Sequence, residues 1–175
     1  MLNKVDILKS REIEKQAKAL YLTAFPREER LPWWVMRLNA HRNGIDLTAW
    51  IEEDLFCGFT ASVTVEGLHF LLFFAVDTAL QGKGYGSGIL SALREEYGNI
   101  VLNVELLEKS APNYSQRLRR FAFYRKNSFF DTGYDVWEIG GRFRILATEP
   151  LDVERYKKIF RKLSLGLWNV KIKKI

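Results

Sequence analysis

Four glycines at alternate positions, Gly82, Gly84, Gly86 and Gly88, stand between a continuous apolar run and an amphipathic stretch. This junction limits what the chain can fold into more than any other segment. The run is LHFLLFFAV (68–76), in which alternation stops after Phe70, as expected of a central strand covered on both faces. After the glycines, Ile89, Leu90, Leu93 and Tyr97 fall on one helical face, and Gly98-Asn99 ends that helix. IVLNVELL (100–107) reads as a second buried strand. Strand, glycine loop, helix, strand is a right-handed crossover, so the two strands are predicted to be parallel neighbours. Glycine lets backbone N–H groups approach a bound anion, and a helix N-terminus adds about half a positive charge. A phosphate or pyrophosphate suits the place; the structural alternative is a tight connection that merely needs small residues.

The rest of the chain supplies one α/β domain with a mixed sheet, residues 1–175, and shows no repeat or linker. Ile13, Ala17, Leu20, Tyr21 and Ala24 mark a first helix, stopped by Pro26. Pro32 opens a second, Trp33 to about Arg42, closed by Asn43-Gly44. Phe59, Ala61, Val63 and Val65 alternate with polar residues, which predicts a half-buried strand. Residues 113–128 read as a basic amphipathic helix, and Tyr134–Ile139 with Phe143–Ala147 as a hairpin turned at Gly140-Gly141. Asp152 caps a final helix carrying Val153, Tyr156, Phe160 and Leu163. Trp168, Val170 and Ile172 then alternate as a last edge strand, within the chain or between two copies, with Lys171 and Lys173 outward.

Composition excludes several classes. One cysteine, Cys57, rules out a disulfide framework, and with two histidines it leaves too few soft ligands for a zinc site. Cys57 itself reads as a small buried residue. Residues 1–10 lack the apolar core of a signal peptide, and seven residues (70–76) form the longest apolar run, against roughly 20 needed for a span. A cytoplasmic protein without membrane contact is expected. The net charge of +6 is uneven: residues 155–175 hold eight bases and no acid, so the body is near neutral and does not read as a nucleic-acid binder.

Familiar nucleotide signatures fail. A dinucleotide fingerprint would need glycine at Ser87 or Ile89, and a P-loop would need Ser or Thr where Gly84 follows Gly82-Lys83. What the segment does match is Q-x-x-G-x-G, as Gln81-Gly82-Lys83-Gly84-Tyr85-Gly86, preceded by FFAVD (73–77). Further on, FYRKNSFFDTGY (123–134) is similar to an FYxKxGF segment. In these two motifs and in the order of its elements the chain resembles the GNAT superfamily of acetyl-CoA-dependent N-acetyltransferases. The resemblance implies a mostly antiparallel sheet with one parallel, splayed central strand pair and helices on both faces. It implies acetyl-CoA as cosubstrate, with no metal. Backbone amides of Gly82, Lys83, Gly84, Gly86 and Ser87 would hold the pyrophosphate, with Gln81 and Tyr85 in the same loop. Phe74, Ala75 and Val76 would pair with the pantetheine arm, and Tyr124 would stand beside the sulfur. Two departures stand out: Ser128 replaces the second motif's glycine, and Arg117 occupies a position where the family often has Asn, from which it could reach a phosphate.

Acyl transfer to an amine needs a neutral amine, a stabilised oxyanion and a protonated leaving thiolate. Tyr124, a phenol of pKa ~10, can protonate a thiolate of pKa ~8.5; its alternative role is packing beside Phe121 and Phe123. Many members of the family this chain resembles carry a glutamate on the strand before the glycine loop, where this chain has His69-Phe70-Leu71-Leu72, so Glu105, near the end of the next strand, is the first candidate base. His69 titrates in the right range but reads as structural, and a water chain is the third option. The resemblance also implies that FPREERLPWW (25–34) borders the acceptor side, where Glu28 and Glu29 could hold an ammonium and Trp33 and Trp34 could form an apolar or cation-binding wall; the alternative is a charged turn followed by a buried helix face, for Trp34 above all. Of the helix bases, Arg117 and Arg120 fall to one side, Arg119 and Lys126 elsewhere. The expected partner is a primary amine of a small molecule or peptide. Two other functions fit parts of the sequence: a CoA-binding module that has lost its base, and an interaction protein whose basic tail meets nucleic acid or membrane.

Overall fold

A single extra residue in one strand sets the architecture. The computed structural model describes residues 1–42, 44–138, 140–164 and 170–175; Asn43, Ile139 and Trp168, given turn or strand roles above, lie outside the described residues. The chain runs β1 (Leu2–Asp6), α1 (Arg11–Ala24), α2 (Trp33–Arg42), β2 (Ile45–Glu52), β3 (Leu55–Val65), β4 (Leu68–Val76) and α3 (Tyr85–Tyr97). It continues through β5 (Ile100–Glu105), α4 (Tyr114–Lys126), β6 (Phe130–Glu138), β7 (Gly141–Ala147), α5 (Val153–Leu163) and β8 (Lys171–Lys174). The eight strands form one sheet in the order β1-β2-β3-β4-β5-β7-β6-β8. Neighbours are antiparallel except β4 and β5.

That parallel pair is short. His69, Phe70 and Leu71 pair with Ile100, Val101 and Leu102, and the pairing goes no further. On its other side β4 stays in register with β3 except at one point, where Ala61 faces Phe73 but Ser62 faces Leu71. Leu72 is therefore a bulge. A bulge bends its strand and increases its twist, and here it falls where β4 parts from β5. It also reverses which side chains face which layer. Phe70 before it, and Phe73 and Ala75 after it, all face the α1, α2 and α5 side, whereas Leu71, Phe74 and Val76 face α3 and α4. Both faces are covered by apolar layers, which is why the run does not alternate.

The helices follow their sequence signals. Ser10 Oγ accepts the Ile13 amide at 3.4 Å to start α1, which buries Ala17, Leu20 and Tyr21 before Phe25-Pro26 stops it. Asp152 accepts the Arg155 amide at 3.0 Å to start α5, whose Tyr156, Ile159 and Phe160 are buried. The end of α4 has a Schellman motif: the Ser128 amide bonds the Arg125 carbonyl and the Phe129 amide bonds the Tyr124 carbonyl. Ser128 accordingly sits at φ +67°, a left-handed conformation that glycine adopts more cheaply.

Several expectations change. The strand around Phe59 is buried on both faces from Cys57 to Val63, because α3 covers its second side and Trp50 Nε1 donates to Thr60 Oγ1 there at 3.0 Å. The 100–107 strand ends at Glu105. The last strand runs Lys171–Lys174 and pairs with β6 of the same chain, Ile172 opposite Val136, with Lys171 and Lys173 exposed. β1 and β2 have no counterpart in the sequence reading, although Ile45, Leu47 and Ala49 of β2 do alternate.

Candidate active site

Where β4 and β5 separate, the sheet opens into a cleft of about 1000 Å³ that passes from one layer to the other. On the α3/α4 side it is lined by Phe74, Val76, Gln81, Gly82, Gly84, Gly86, Ser87, Phe123 and Tyr124. On the α1/α2 side it is lined by Phe25, Glu29, Leu31, Asn103, Glu138 and Phe143. The gap therefore joins a glycine-rich helix start to an acidic, aromatic chamber.

The glycine loop is shaped for an anion. Gly84, the N-cap of α3, has φ +93°, and the first intrahelical bond runs from the Gly88 amide to the Gly84 carbonyl at 3.0 Å. The amides of Tyr85, Gly86 and Ser87 precede that bond and so lie among the donors a helix start leaves open. A Cβ on Gly86 would meet Phe123 Cζ at 3.0 Å, so only glycine lets α3 and α4 approach this closely. Gln81 Nε2 donates to the Val76 carbonyl at 3.2 Å and ties the loop to the end of β4. Two loop residues behave otherwise than expected. The Lys83 amide is bonded to the Leu80 carbonyl within the turn, and the Tyr85 hydroxyl points away to Glu52 Oε2 at 3.0 Å.

Tyr124 is buried at the gap, in edge contact with Phe123 and Phe129. Burial pushes its phenol up to about 12, Arg120 opposing weakly, so the hydroxyl keeps its proton across the neutral range. Glu105 also reaches the cleft, but its oxygens are taken. Asn113 Nδ2 donates to Oε1 at 2.9 Å, Arg117 Nε lies 3.3 Å from the same oxygen, and Arg120 pairs with Oε2. Held by two guanidinium groups and an amide, the Glu105 carboxylate ties α4 to β5 and has both oxygens engaged, unlike the open strand-end acid expected from the sequence. Arg117 is committed inward as well, donating to Asn113 Oδ1 at 2.7 Å and the Leu106 carbonyl at 2.9 Å, and it does not line the cleft. Gln116, Arg119, Phe123 and Lys126 line the cleft instead, on one helical stripe.

On the acceptor side Glu29 lines the cleft, and its carboxyl is raised by burial and by the charge of Glu105. Its short 3-10 turn, Arg27–Glu29, packs on the β6–β7 turn: a Cβ on Gly140 would meet Glu29 Cγ at 3.0 Å. Glu28 is exposed and lies outside the cleft lining. Trp33 is buried against Tyr21 and donates Nε1 to Glu14 Oε1 at 2.9 Å, so it is a core residue and not a wall of the site. Trp34, read above as the more buried of the pair, is 68% exposed. His69 is structural, as read: it is fully buried, stacked on Tyr97 and bonded through Nδ1 to Thr64 Oγ1 at 2.9 Å. The sequence reading missed Glu138. It is half-buried in the cleft and accepts from Asn103 Nδ2 at 2.8 Å, while Tyr156 donates its hydroxyl to Asn103 Oδ1 at 2.9 Å. Among the described residues no cluster of His, Cys, Asp or Glu is arranged to hold a metal ion, and no helix is long and apolar enough to cross a membrane.

Solved structures share this architecture. One from Bacteroides thetaiotaomicron, described as an acetyltransferase of the GNAT family, aligns over 96% of this chain and 99% of its own, with TM-score 0.71 and 22% identity. An aminoglycoside 6'-N-acetyltransferase complexed with coenzyme A aligns over 84% of this chain and 95% of its own, with TM-score 0.64 and 14% identity. The ribosomal-protein-S18-alanine N-acetyltransferase from Escherichia coli aligns over 84% and 92%, with TM-score 0.58 and 18% identity. No protein-family model and no curated protein matches the sequence. The fold is that of the GNAT acetyltransferases: a mostly antiparallel sheet with one parallel, splayed pair and helices on both faces.

Proposed function

We propose that this chain transfers an acetyl group from acetyl-CoA to a primary amine of a small molecule or peptide, directly and without an acyl-enzyme. The observation that carries the reading is the gap between β4 and β5, which opens at one end on the N-terminus of α3 and at the other on an acidic chamber. The residues present fit the cosubstrate. The amides of Tyr85, Gly86 and Ser87 suit its pyrophosphate, Arg119 and Lys126 extend positive charge along the same wall, and Gly86 keeps Phe123 out of the channel. The β4 edge from Phe73 to Val76, released from β5, offers backbone groups to an extended amide-bearing arm in the manner of strand addition.

The cosubstrate supplies an activated acetyl group. The chain's own part is to align the amine and manage its protons. Tyr124, neutral and at the gap, donates a proton to the departing sulfur, and the free β4 amides stabilise charge on the carbonyl oxygen. Glu29 and the apolar side chains of Phe25, Leu31 and Phe143 receive the acceptor. A cytoplasmic setting accompanies this reading. The structures aligned above include enzymes named for acetylating an aminoglycoside and a protein alanine, consistent with an amine acceptor here. The test is a panel of primary amines and peptides with acetyl-CoA, read by thiol release. Turnover with at least one amine is expected, and binding of acetyl-CoA without turnover across a broad panel would favour a non-catalytic CoA-binding module.

A further inference from the structure

The acceptor chamber holds a carboxylate that the cosubstrate has no use for. Glu138, the last residue of β6, lines the cleft together with Glu29, whose turn after α1 packs on the β6–β7 turn. Its orientation is fixed from behind: Tyr156 on α5 donates to Asn103 on β5, and Asn103 in turn donates to Glu138 Oε1 at 2.8 Å. Asn103 therefore engages one oxygen, whereas Glu105 is held by two arginines and an asparagine.

We infer that Glu138 is the group that takes the proton of the acceptor's ammonium, with Glu29 in the same chamber drawing that ammonium in before the proton is lost. The proposal rests on the acetyl-transfer reading. The surroundings set the chemistry. Burial raises the Glu138 carboxyl to about 7, the Asn103 bond opposes this, and the charge of Glu29 adds to it. Among the described residues, charge also reaches Glu29 from Glu105, Arg120, Glu28 and Arg117, and Glu138 acts on Tyr156, whose phenol burial keeps protonated. A base poised near the working pH is the one general acid–base catalysis uses best. Glu138 removes one proton from R–NH3⁺. The neutral nitrogen then bonds the acetyl carbon as the carbon–sulfur bond breaks, and sulfur leaves with the bonding pair and the Tyr124 proton. The second nitrogen proton restores Tyr124 through solvent, and the one on Glu138 is released.

Two measurements on the full chain test this. First, the carboxyl carbons of 13C-glutamate-labelled protein are followed by NMR from pH 4 to 9, with Glu138 assigned by Glu138→Gln. Glu138 is expected to titrate near neutrality, and lower in Glu29→Gln; titration at about 4.3, the ordinary glutamate range, overturns the proposal whatever the activity. Second, Glu138→Gln is compared with the parent for acetyl-CoA affinity by calorimetry and for turnover of any amine the panel identifies. Unchanged affinity, kcat reduced about 10²-fold or more and loss of the acidic limb of the kcat/KM profile are expected. A variant that keeps both kcat and that limb refutes the role of Glu138. Failure of the parent itself to bind acetyl-CoA refutes the acetyl-transfer reading instead.

Discussion

Acid should destabilise this protein through one buried ring. His69 is fully buried, its Nε2 has no hydrogen-bond partner among the described residues, and its Nδ1 contacts the Thr64 hydroxyl. Burial lowers the imidazole to about 4 from 6.5, with Glu96 opposing and Lys4 assisting. A folded-state pKa below the unfolded one means that the unfolded chain binds the proton first. Stability should therefore be complete above pH 6.5 and fall as pH drops toward 4. At 1.36 kcal/mol per unit, this group costs about 2 kcal/mol at pH 5 and about 3 kcal/mol at pH 4. His69→Phe keeps the stack on Tyr97 but cannot titrate. It should lose a fixed amount at pH 7 through the Thr64 hydroxyl, and its stability should then decline less with acid than the parent's. Urea unfolding at several values between pH 7 and 4 gives both curves. Parallel curves would mean that the ring is charged or solvated in the native state, and the burial argument would fail.

Ser128→Gly should stabilise the protein by about 1 kcal/mol, because Ser128 holds φ +67° at the C′ position of α4, and a thermal melt should rise by roughly 2–4 °C. Tyr124→Phe should lower kcat by about 10²-fold or more while leaving acetyl-CoA affinity nearly unchanged, measured by steady-state kinetics and calorimetry; equal turnover would remove Tyr124 from the proton path. Deleting residues 165–175 removes β8 and the buried Val170, worth about 2 kcal/mol on its own, and should lower the melting temperature without abolishing acetyl-CoA binding. Retained stability with loss of RNA or anionic-vesicle binding would assign the basic tail an electrostatic role.

The sequence exposes those parts of the site that depend on backbone geometry. Glycines at 82, 84 and 86 declare a positive-φ loop and a close helix approach, and the unbroken run 68–76 declares a strand covered on both faces. The bulge at Leu72, which switches side chains between the two faces, leaves no mark in a run that is apolar on both of them. Side-chain direction is less legible. Arginines stand at 117, 119, 120 and 125, on several faces of α4, so spacing alone does not tell which reach the cleft. Glu105 pairs with Arg117 and Arg120 from a strand end, which turns Arg117 inward, while Arg119 lines the channel. Glu138 is illegible for a similar reason. A glutamate at the end of a hairpin strand is ordinarily solvated, and its burial arises from Asn103, Tyr156 and Glu29, brought by three other elements. Trp34 is exposed and Trp33 buried because the roughly 100° between neighbouring helix residues lets only one of the two indoles meet Tyr21.

The central claim is that the gap between β4 and β5 is an acetyl-CoA channel, and calorimetric titration with acetyl-CoA tests it most directly. The parent protein should bind one molecule per chain. Gly86→Asp, folded by circular dichroism, should show no saturable binding, because its Cβ would drive Phe123 into the channel and its carboxylate would stand among the open amides of α3. Absence of binding to the parent, or undiminished affinity in the variant, would contradict the account.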